Sequence, residues 1–158
     1  MQTLSNMQRN ITYQKYLNIV IVLAIFLVYE SLSDIYLFLP PFFAIMFVIF
    51  INSIKRHDSI VLFATSFALM FFEAQKGYVL FSSIVYFTLV YRLVILKMDK
   101  YIQCVACTKI IMVLLAYVGY YFFSYTLAQT FLLNEPAFGW YVVYYIAIEF
   151  FLLLIFKD

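Results

Sequence analysis

The residues of this sequence that could carry chemistry are ionisable side chains within or beside long apolar runs. Glu149 is the clearest case, because it lies eight residues before Lys157, roughly 12 Å along a helix, among apolar and aromatic neighbours. A carboxyl group at that depth in a membrane is costly unless it has a partner. We therefore expect Glu149 either to make a structural hydrogen bond to a Tyr or Ser of another helix, or to serve in binding or coupling.

A second candidate is the short polar segment Glu73-Ala74-Gln75-Lys76-Gly77. Glu73 and Lys76 are three residues apart, so one further helical turn would let them form an ion pair on one face. Two interpretations stay open for this segment. It is either a solvated outer loop with a weak ion pair, or a buried turn in which Glu73, Lys76 and Gly77 contact a partner.

Arg92 and Lys109 are cations that lie inside apolar runs. Both side chains are long enough to extend along apolar surface and place their charge at the level of the lipid headgroups. This extension is the simplest interpretation of both residues. Contact with anionic lipid or with an acidic partner residue is the functional alternative.

Cys104 and Cys107 form a Cys-x-x-Cys motif, a spacing that serves redox exchange or metal binding. The sequence has no second cysteine pair, and its only histidine, His57, lies in a basic loop. We expect both cysteines to be inert packing residues near the reducing cytoplasmic side. No metal site and no cofactor are predicted.

Catalytic motifs of membrane enzymes are not found in the chain. Its three glycines and one histidine form neither a Gly-x-Ser-x-Gly elbow nor a His-Glu-x-x-His zinc helix, and a nucleotide-binding loop is also lacking. No two carboxylates lie close together within one apolar run. We therefore predict that the protein is not an enzyme.

The elements that must position these residues are predicted to be transmembrane helices. Of 158 residues, 67% are hydrophobic and 11% are charged, and the mean hydropathy is +1.00, which excludes a soluble fold. Long runs without alternation of apolar and polar residues argue against a membrane barrel. We predict an all-α membrane protein, a single domain over residues 1–158 that forms a compact bundle of about six helices. The predicted spans are about 15–30, 38–54, 59–73, 78–97, 102–130 and 138–156.

The distribution of Lys and Arg predicts that both termini face the cytoplasm, because short cytoplasmic loops are enriched in these residues. With six spans this orientation leaves only Lys76 on the outer side. The first apolar run has no small-residue cleavage site after it and is expected to remain as the first span. The net charge of +2 without a basic stripe makes nucleic acid an unlikely partner. The cytoplasmic set is then Arg9, Lys15, Lys55, Arg56, Arg92, Lys97, Lys100, Lys109 and Lys157.

Two of the predicted spans have unusual ends. The third run offers 14 residues, or roughly 21 Å, against a hydrocarbon core of roughly 30 Å, so the turn at Glu73 is expected to be recessed from the outer surface. Pro40 and Pro41 suit the first turn of a helix, and the second helix is expected to begin there. Residues 31–39 are then an apolar connection at the outer interface.

In length, span count and the Leu39-Pro40-Pro41 opening of the second span, the chain resembles MreD, the small rod-shape-determining membrane protein family of bacteria. The closest local match is an acidic residue followed by Gly and Leu, here Glu73, Gly77 and Leu80. The family usually has Asp at the acidic position. Glycines that the family has before and after it are replaced by residues such as Leu69 and Phe81.

The resemblance implies a non-enzymatic, multi-pass subunit of the bacterial cytoplasmic (inner) membrane. It implies binding to a single-span MreC-type protein and other subunits of the elongation complex, in support of peptidoglycan synthesis, with membrane lipids as the surroundings. The alternative is the six-helix substrate-binding subunit of a vitamin transporter. The first helix of such subunits typically carries an Ala-x-x-x-Ala docking face, whereas the first span here has only Ala24.

Overall fold

The structure, a computed structural model, describes residues 2–101, 104–131 and 139–155. All regular secondary structure in these residues is helical, with no strand among them, which confirms the prediction of an all-α fold. Two helices contain a π-helical turn. In chain order the helices are α1 (Gln2–Ile35), α2 (Phe43–Arg56), α3 (Ser59–Lys76), α4 (Ser82–Val90, π-helical Tyr91–Ile95, Leu96–Tyr101), α5 (Val105–Leu114, π-helical Leu115–Gly119, Tyr120–Phe131) and α6 (Tyr141–Ile155).

Three stretches of the described helices are long and apolar enough to cross a membrane, namely Tyr16–Ile35, Ser59–Lys76 and Ala106–Phe131. Tyr141–Ile155 is apolar but shorter. These helices indicate a membrane protein. Crossing of the bilayer by all six helices and the cytoplasmic position of the termini stay predictions.

Helix α2 lies at the centre of the packing, with contacts to α3, α4, α5 and α6. Its buried side chains include Phe43, Phe47 and Phe50, whose rings lie within 6 Å of the Phe87 ring of α4. Aromatic pairs at this separation add to the free energy gained by burial alone. Because α2 is surrounded, the groups at its ends cannot all reach water and need partners inside the protein.

Helix α1 has a different role, since it packs mainly on α3 and leaves most of its surface open. Only 11% of its apolar window is buried. Its outward face is therefore apolar surface that fits contact with lipid or with another membrane protein. The exposed side chains on it include Val20, Ile21, Val22, Ile25 and Val28.

Several helix ends differ from the predicted ones. Helix α1 continues to Ile35, so residues 31–35 are helical and not part of a connection. Helix α2 begins at Phe43, two residues after Pro41, and α4 extends to Tyr101, beyond the predicted end of the fourth span at residue 97. Three limits of the predicted spans, at residues 102, 138 and 156, lie outside the described residues. The charged residues Glu135 and Lys157 lie outside them as well.

The third predicted span is shorter than the helix in the structure. Helix α3 has 18 residues and passes through Glu73 to Lys76, where Gly77 ends it in a left-handed conformation with φ 71°. Glycine adopts this conformation without steric cost, which makes it a common helix terminator. The predicted recessed turn at Glu73 is thus the last turn of a helix.

Gly119 permits a close approach between α4 and α5. A Cβ atom at this position would lie 1.9 Å from the Tyr86 hydroxyl oxygen. That hydroxyl donates to the Leu115 carbonyl at 2.7 Å, within the π-helical turn of α5. Gly119 therefore allows Tyr86 to satisfy a carbonyl group of the π-helical turn.

Candidate functional site

Glu149 of α6 is fully buried and binds the start of α2. Its Oε2 accepts hydrogen bonds from the backbone N–H groups of Ala44 at 2.7 Å and Ile45 at 3.3 Å, and its Oε1 accepts one from the Tyr117 hydroxyl of α5. A carboxylate at a helix N-terminus satisfies N–H groups that have no partner within the helix. Of the two interpretations of Glu149, the structure shows the hydrogen-bonded one, with a tyrosine and two N–H groups as donors.

Glu73 is also fully buried, and it binds the start of α4. Its Oε2 accepts from the Phe81 N–H at 2.6 Å, while its Oε1 accepts from the Ser83 N–H and from the Ser82 hydroxyl at 2.8 Å. The Ser82 hydroxyl is also 2.8 Å from the Tyr120 hydroxyl of α5. Glu73 is therefore enclosed by its own chain, and the ion pair with Lys76 that one of the two interpretations contained is not formed, because Lys76 pairs with Asp34.

The two helices that these glutamates hold begin in the same way. The residues before them, Phe42 and Phe81, have φ values of 52° and 69°, and neither makes a local side-chain cap. A bulky residue in the left-handed region is strained. Each strained helix start is thus held by a glutamate from elsewhere in the chain.

Glu30 of α1 is the third fully buried glutamate, and its environment is different. Neither of its carboxyl oxygens has a hydrogen-bond partner among the described residues. Charged groups within electrostatic range are Lys76, Asp34 and Glu149. A buried polar group without a partner is rare in folded proteins and calls for an explanation.

A cavity of about 190 Å³ lies between α1, α2, α3, α5 and α6. It extends from the exposed Lys76 to the fully buried Ala116. Most of its wall is aromatic, and two serines contribute hydroxyl groups. The lining residues are Ser33, Pro41, Phe43, Phe72, Lys76, Tyr78, Ala116, Tyr117, Tyr120, Tyr121, Ser124, Val142 and Tyr145.

Three of the five lining tyrosines use their hydroxyl groups outside the cavity. Tyr117 donates to Glu149, Tyr120 is bonded to Ser82, and Tyr145 donates to the Leu37 carbonyl at 2.6 Å. What these side chains offer to the cavity is therefore mainly ring surface. The Ser124 hydroxyl, in contrast, is buried without a hydrogen-bond partner in the described part of the chain.

Lys76 forms its ion pair with Asp34 of α1 and not with Glu73. Beside this pair the Gln75 amide donates to the Ser31 hydroxyl at 3.2 Å. Both contacts join the last turns of α1 and α3. The side chains of the ion pair are about one-third exposed, so we expect a small contribution to stability from it.

The end of the bundle that holds Gly77 carries exposed aromatic and aliphatic side chains. We call this surface the aromatic end and define it as Tyr36, Phe38, Leu80, Phe81 and Trp140. Their exposed fractions range from 51% for Leu80 to 92% for Trp140. Phe38 contacts Tyr144 of α6, which joins the α1–α2 connection to the start of α6. Tyrosine and tryptophan in such positions are typical of a membrane interface.

Arg92 and Lys109 are not part of the cavity. Arg92 is exposed within the π-helical turn of α4. Lys109 is partly buried, and its ammonium group donates to the Leu153 carbonyl at 2.7 Å, in the last turn of α6. A cation at a helix C-terminus stabilises the carbonyl groups there. Lys109 thus has a structural contact that the prediction of simple extension toward the headgroups did not include.

Cys104 and Cys107 form a disulfide bond at the start of α5, so the prediction of two inert packing residues is wrong. The Cys104 sulfur also accepts from the Cys107 N–H at 3.3 Å. Both residues are exposed. Within the described residues, no group of three His, Cys, Asp or Glu side chains could hold a metal ion.

Comparisons with known proteins give no relatives. No family model matches the chain, and neither a curated protein nor a solved structure is similar to it.

Sequence reasoning missed the cavity and the role of Glu30. The sequence analysis singled out neither Glu30 nor the tyrosines of α5. A signal was available in the spacing of Tyr117, Tyr120, Tyr121 and Ser124, which places four polar-tipped side chains on about one face of a helix. The arrangement can bind a small molecule or hold a helix start, and no nucleophile with an adjacent base is evident in it.

Proposed function

We propose that this chain is a non-enzymatic, multi-pass subunit of the cell-elongation machinery in a bacterial cytoplasmic membrane. In this proposal six helices cross the membrane with both termini in the cytoplasm. The chain binds a single-span MreC-type partner and, with other subunits of the complex, supports peptidoglycan synthesis. The observation that carries the proposal is the geometry of the connection between α3 and α4.

In that connection, the residues on which the MreD resemblance rests have structural roles. Glu73, at the family's acidic position, holds the start of α4, and Gly77 ends α3. Phe81, at a position where the family has glycine, has the left-handed conformation that glycine adopts most readily. An acidic side chain and a glycine are the residue types that such a connection favours, which supports the resemblance at the level of local structure.

The surface for the partner in this proposal is the aromatic end. Glu73 cannot touch a partner because it is fully buried, so its role is to fix the backbone that presents Gly77, Leu80 and Phe81. An exposed apolar surface on a described end of the bundle is the kind of feature that marks an interaction site. Lys76 lies beside it but is paired with Asp34.

The experiment is co-purification of the chain with the MreC-type protein of its source bacterium, together with depletion of the chain and measurement of cell shape. We expect depleted rods to become round. Tyr36→Arg should reduce partner recovery at least tenfold, whereas Tyr101→Arg should not, since Tyr101 is an exposed tyrosine at the opposite end of the bundle. Unchanged cell shape, with no cell-wall protein recovered, would refute the proposal.

The cavity favours a second candidate function, the substrate-binding subunit of a small-molecule transporter. Its volume of about 190 Å³ and aromatic wall are typical of a binding pocket for a small molecule. The test is thermal stabilisation of the purified chain by individual vitamins and related small molecules. This function is supported if a small molecule stabilises the chain and a substitution of a cavity residue abolishes that stabilisation. A tight complex with an MreC-type protein would exclude it.

A further inference from the structure

The Glu30 carboxyl group and the aromatic cavity beside it share a chemical requirement. Glu30 is fully buried without a hydrogen-bond partner among the described residues, so it lacks the compensation that a buried polar group needs. It lies three residues before Ser33, a lining residue on the same face of α1. Two other lining residues, Lys76 and Tyr117, are within its electrostatic range.

The ion pair and the hydrogen bonds near the cavity leave one buried carboxyl group unmatched. Lys76, the charged residue of the lining, is neutralised by Asp34 in an ion pair. Glu149 accepts hydrogen bonds from two N–H groups and from the hydroxyl of the lining residue Tyr117. Among the described residues of this region, Glu30 is then the carboxyl group without a hydrogen-bond donor.

The walls of the cavity suit a cation for a separate reason. Aromatic rings attract cations through their negative faces, and ammonium groups are commonly bound in aromatic cages. Tyr117, Tyr120 and Tyr145 contribute ring surface because their hydroxyl groups are bonded elsewhere. The buried Ser124 hydroxyl adds one polar group that can bond to a ligand.

We propose that this cavity binds a small organic cation, an ammonium compound that carries a hydroxyl or similar polar group. The ammonium group is held by the aromatic rings within range of Glu30, and the polar group bonds to Ser124. A cavity of about 150 Å³ accommodates benzene, so the volume of about 190 Å³ has room for an ammonium group and its substituents of slightly larger size. The inference needs the cavity of the second candidate function but does not need transport.

Choline is a suitable probe, with 3,3-dimethyl-1-butanol as a neutral molecule of the same shape. Binding to the purified full-length chain is measured by calorimetry in a non-ionic detergent. We expect saturable binding of choline that is at least tenfold tighter than that of the alcohol. Equal affinity for the two compounds, or no saturable binding of choline, would overturn the proposal.

Two variants test the residues. Glu30→Gln should weaken choline binding at least tenfold without changing the affinity for the alcohol. Tyr78→Leu should also weaken choline binding, whereas Tyr78→Phe, which keeps the ring, and Tyr101→Leu, outside the cavity, should not. If Glu30→Gln does not fold, the Tyr78 pair still decides the result, and equal binding by Tyr78→Leu and Tyr78→Phe would refute the cage.

An ammonium group can come from a free amine or from a lipid headgroup. Competition by glycerophosphocholine for the site of bound choline distinguishes the sources. If glycerophosphocholine displaces bound choline at a concentration tenfold lower than unlabelled choline does, the natural ligand is a lipid headgroup. If it displaces choline less effectively, the natural ligand is a free amine. Stabilisation of the chain by an anionic or neutral vitamin, with no binding of choline, would overturn this inference while leaving the second candidate function in place.

Discussion

Glu73, Glu149 and Glu30 are all fully buried, but the first two differ from Glu30 in their hydrogen bonds. Each of the first two accepts at least three hydrogen bonds and holds the start of a helix, α4 or α2. Glu30 has no hydrogen-bond partner within the described residues. Burial by itself therefore does not identify the function of a buried carboxyl group, and the donors around it do. Substitutions at the three positions should separate a structural carboxylate from a binding one.

The largest effect is expected for Glu73→Ala, which leaves the N–H groups of Phe81 and Ser83 and the Ser82 hydroxyl without their acceptor. We expect a loss of about 4 kcal/mol in the free energy of unfolding, because buried donors lose their partner. The measurement is equilibrium unfolding in mixed detergent micelles. Glu73→Gln, which keeps one acceptor oxygen, is the control and should lose less. A loss below about 1 kcal/mol in the alanine variant would show that water replaces the carboxylate.

Glu149→Ala should follow, with a loss of about 3 kcal/mol in the same assay, since the N–H groups of Ala44 and Ile45 and the Tyr117 hydroxyl lose their acceptor. The matched control is Tyr117→Phe, which removes one donor and keeps the carboxylate bonded to the helix. That variant should lose about 1 kcal/mol. Equal losses in the two variants would mean that the N–H contacts do not stabilise α2.

Glu30→Met is expected to act in the opposite direction. The substitution replaces a buried carboxyl group without hydrogen-bond partners by an apolar side chain of similar volume, so the free energy of unfolding should rise by about 2 kcal/mol. The assay is again equilibrium unfolding, without added cation. Destabilisation of Glu30→Met similar to that of Glu149→Ala would abolish the distinction between the two kinds of glutamate.

The smallest effect is expected for Phe81→Gly, which relieves the left-handed strain before α4. The gain from relief exceeds the cost of the flexible glycine by about 0.5 kcal/mol. Phe42→Gly is the comparison, because the Phe42 ring stacks on Tyr29 at 4.4 Å and that contact is lost. The thermal unfolding temperature should rise for Phe81→Gly only. A fall for both variants would show that both rings stabilise their helix starts more than the strain opposes them.

The helices were predictable because their signal is local. Apolar runs and their flanking charges indicated an all-α membrane protein, and the position of Glu149 within such a run indicated that it needs a partner. The end of α3 was placed three residues too early, because a charged residue usually ends an apolar helix and Glu73 does not. Its charge is compensated by α4, which the sequence near Glu73 does not reveal.

The sequence by itself determined which segments are helical and that the carboxyl group of Glu149 would need a partner. Only the tertiary structure decided which donors each carboxyl group meets. Ala44 and Glu149 are 105 residues apart, and Tyr117 reaches Glu149 from another helix. Glu30 differs from both capping glutamates through the absence of such a donor in the described residues, together with an aromatic cavity nearby. Such differences arise from helix packing, because the same residue type meets different neighbours on different faces of the bundle.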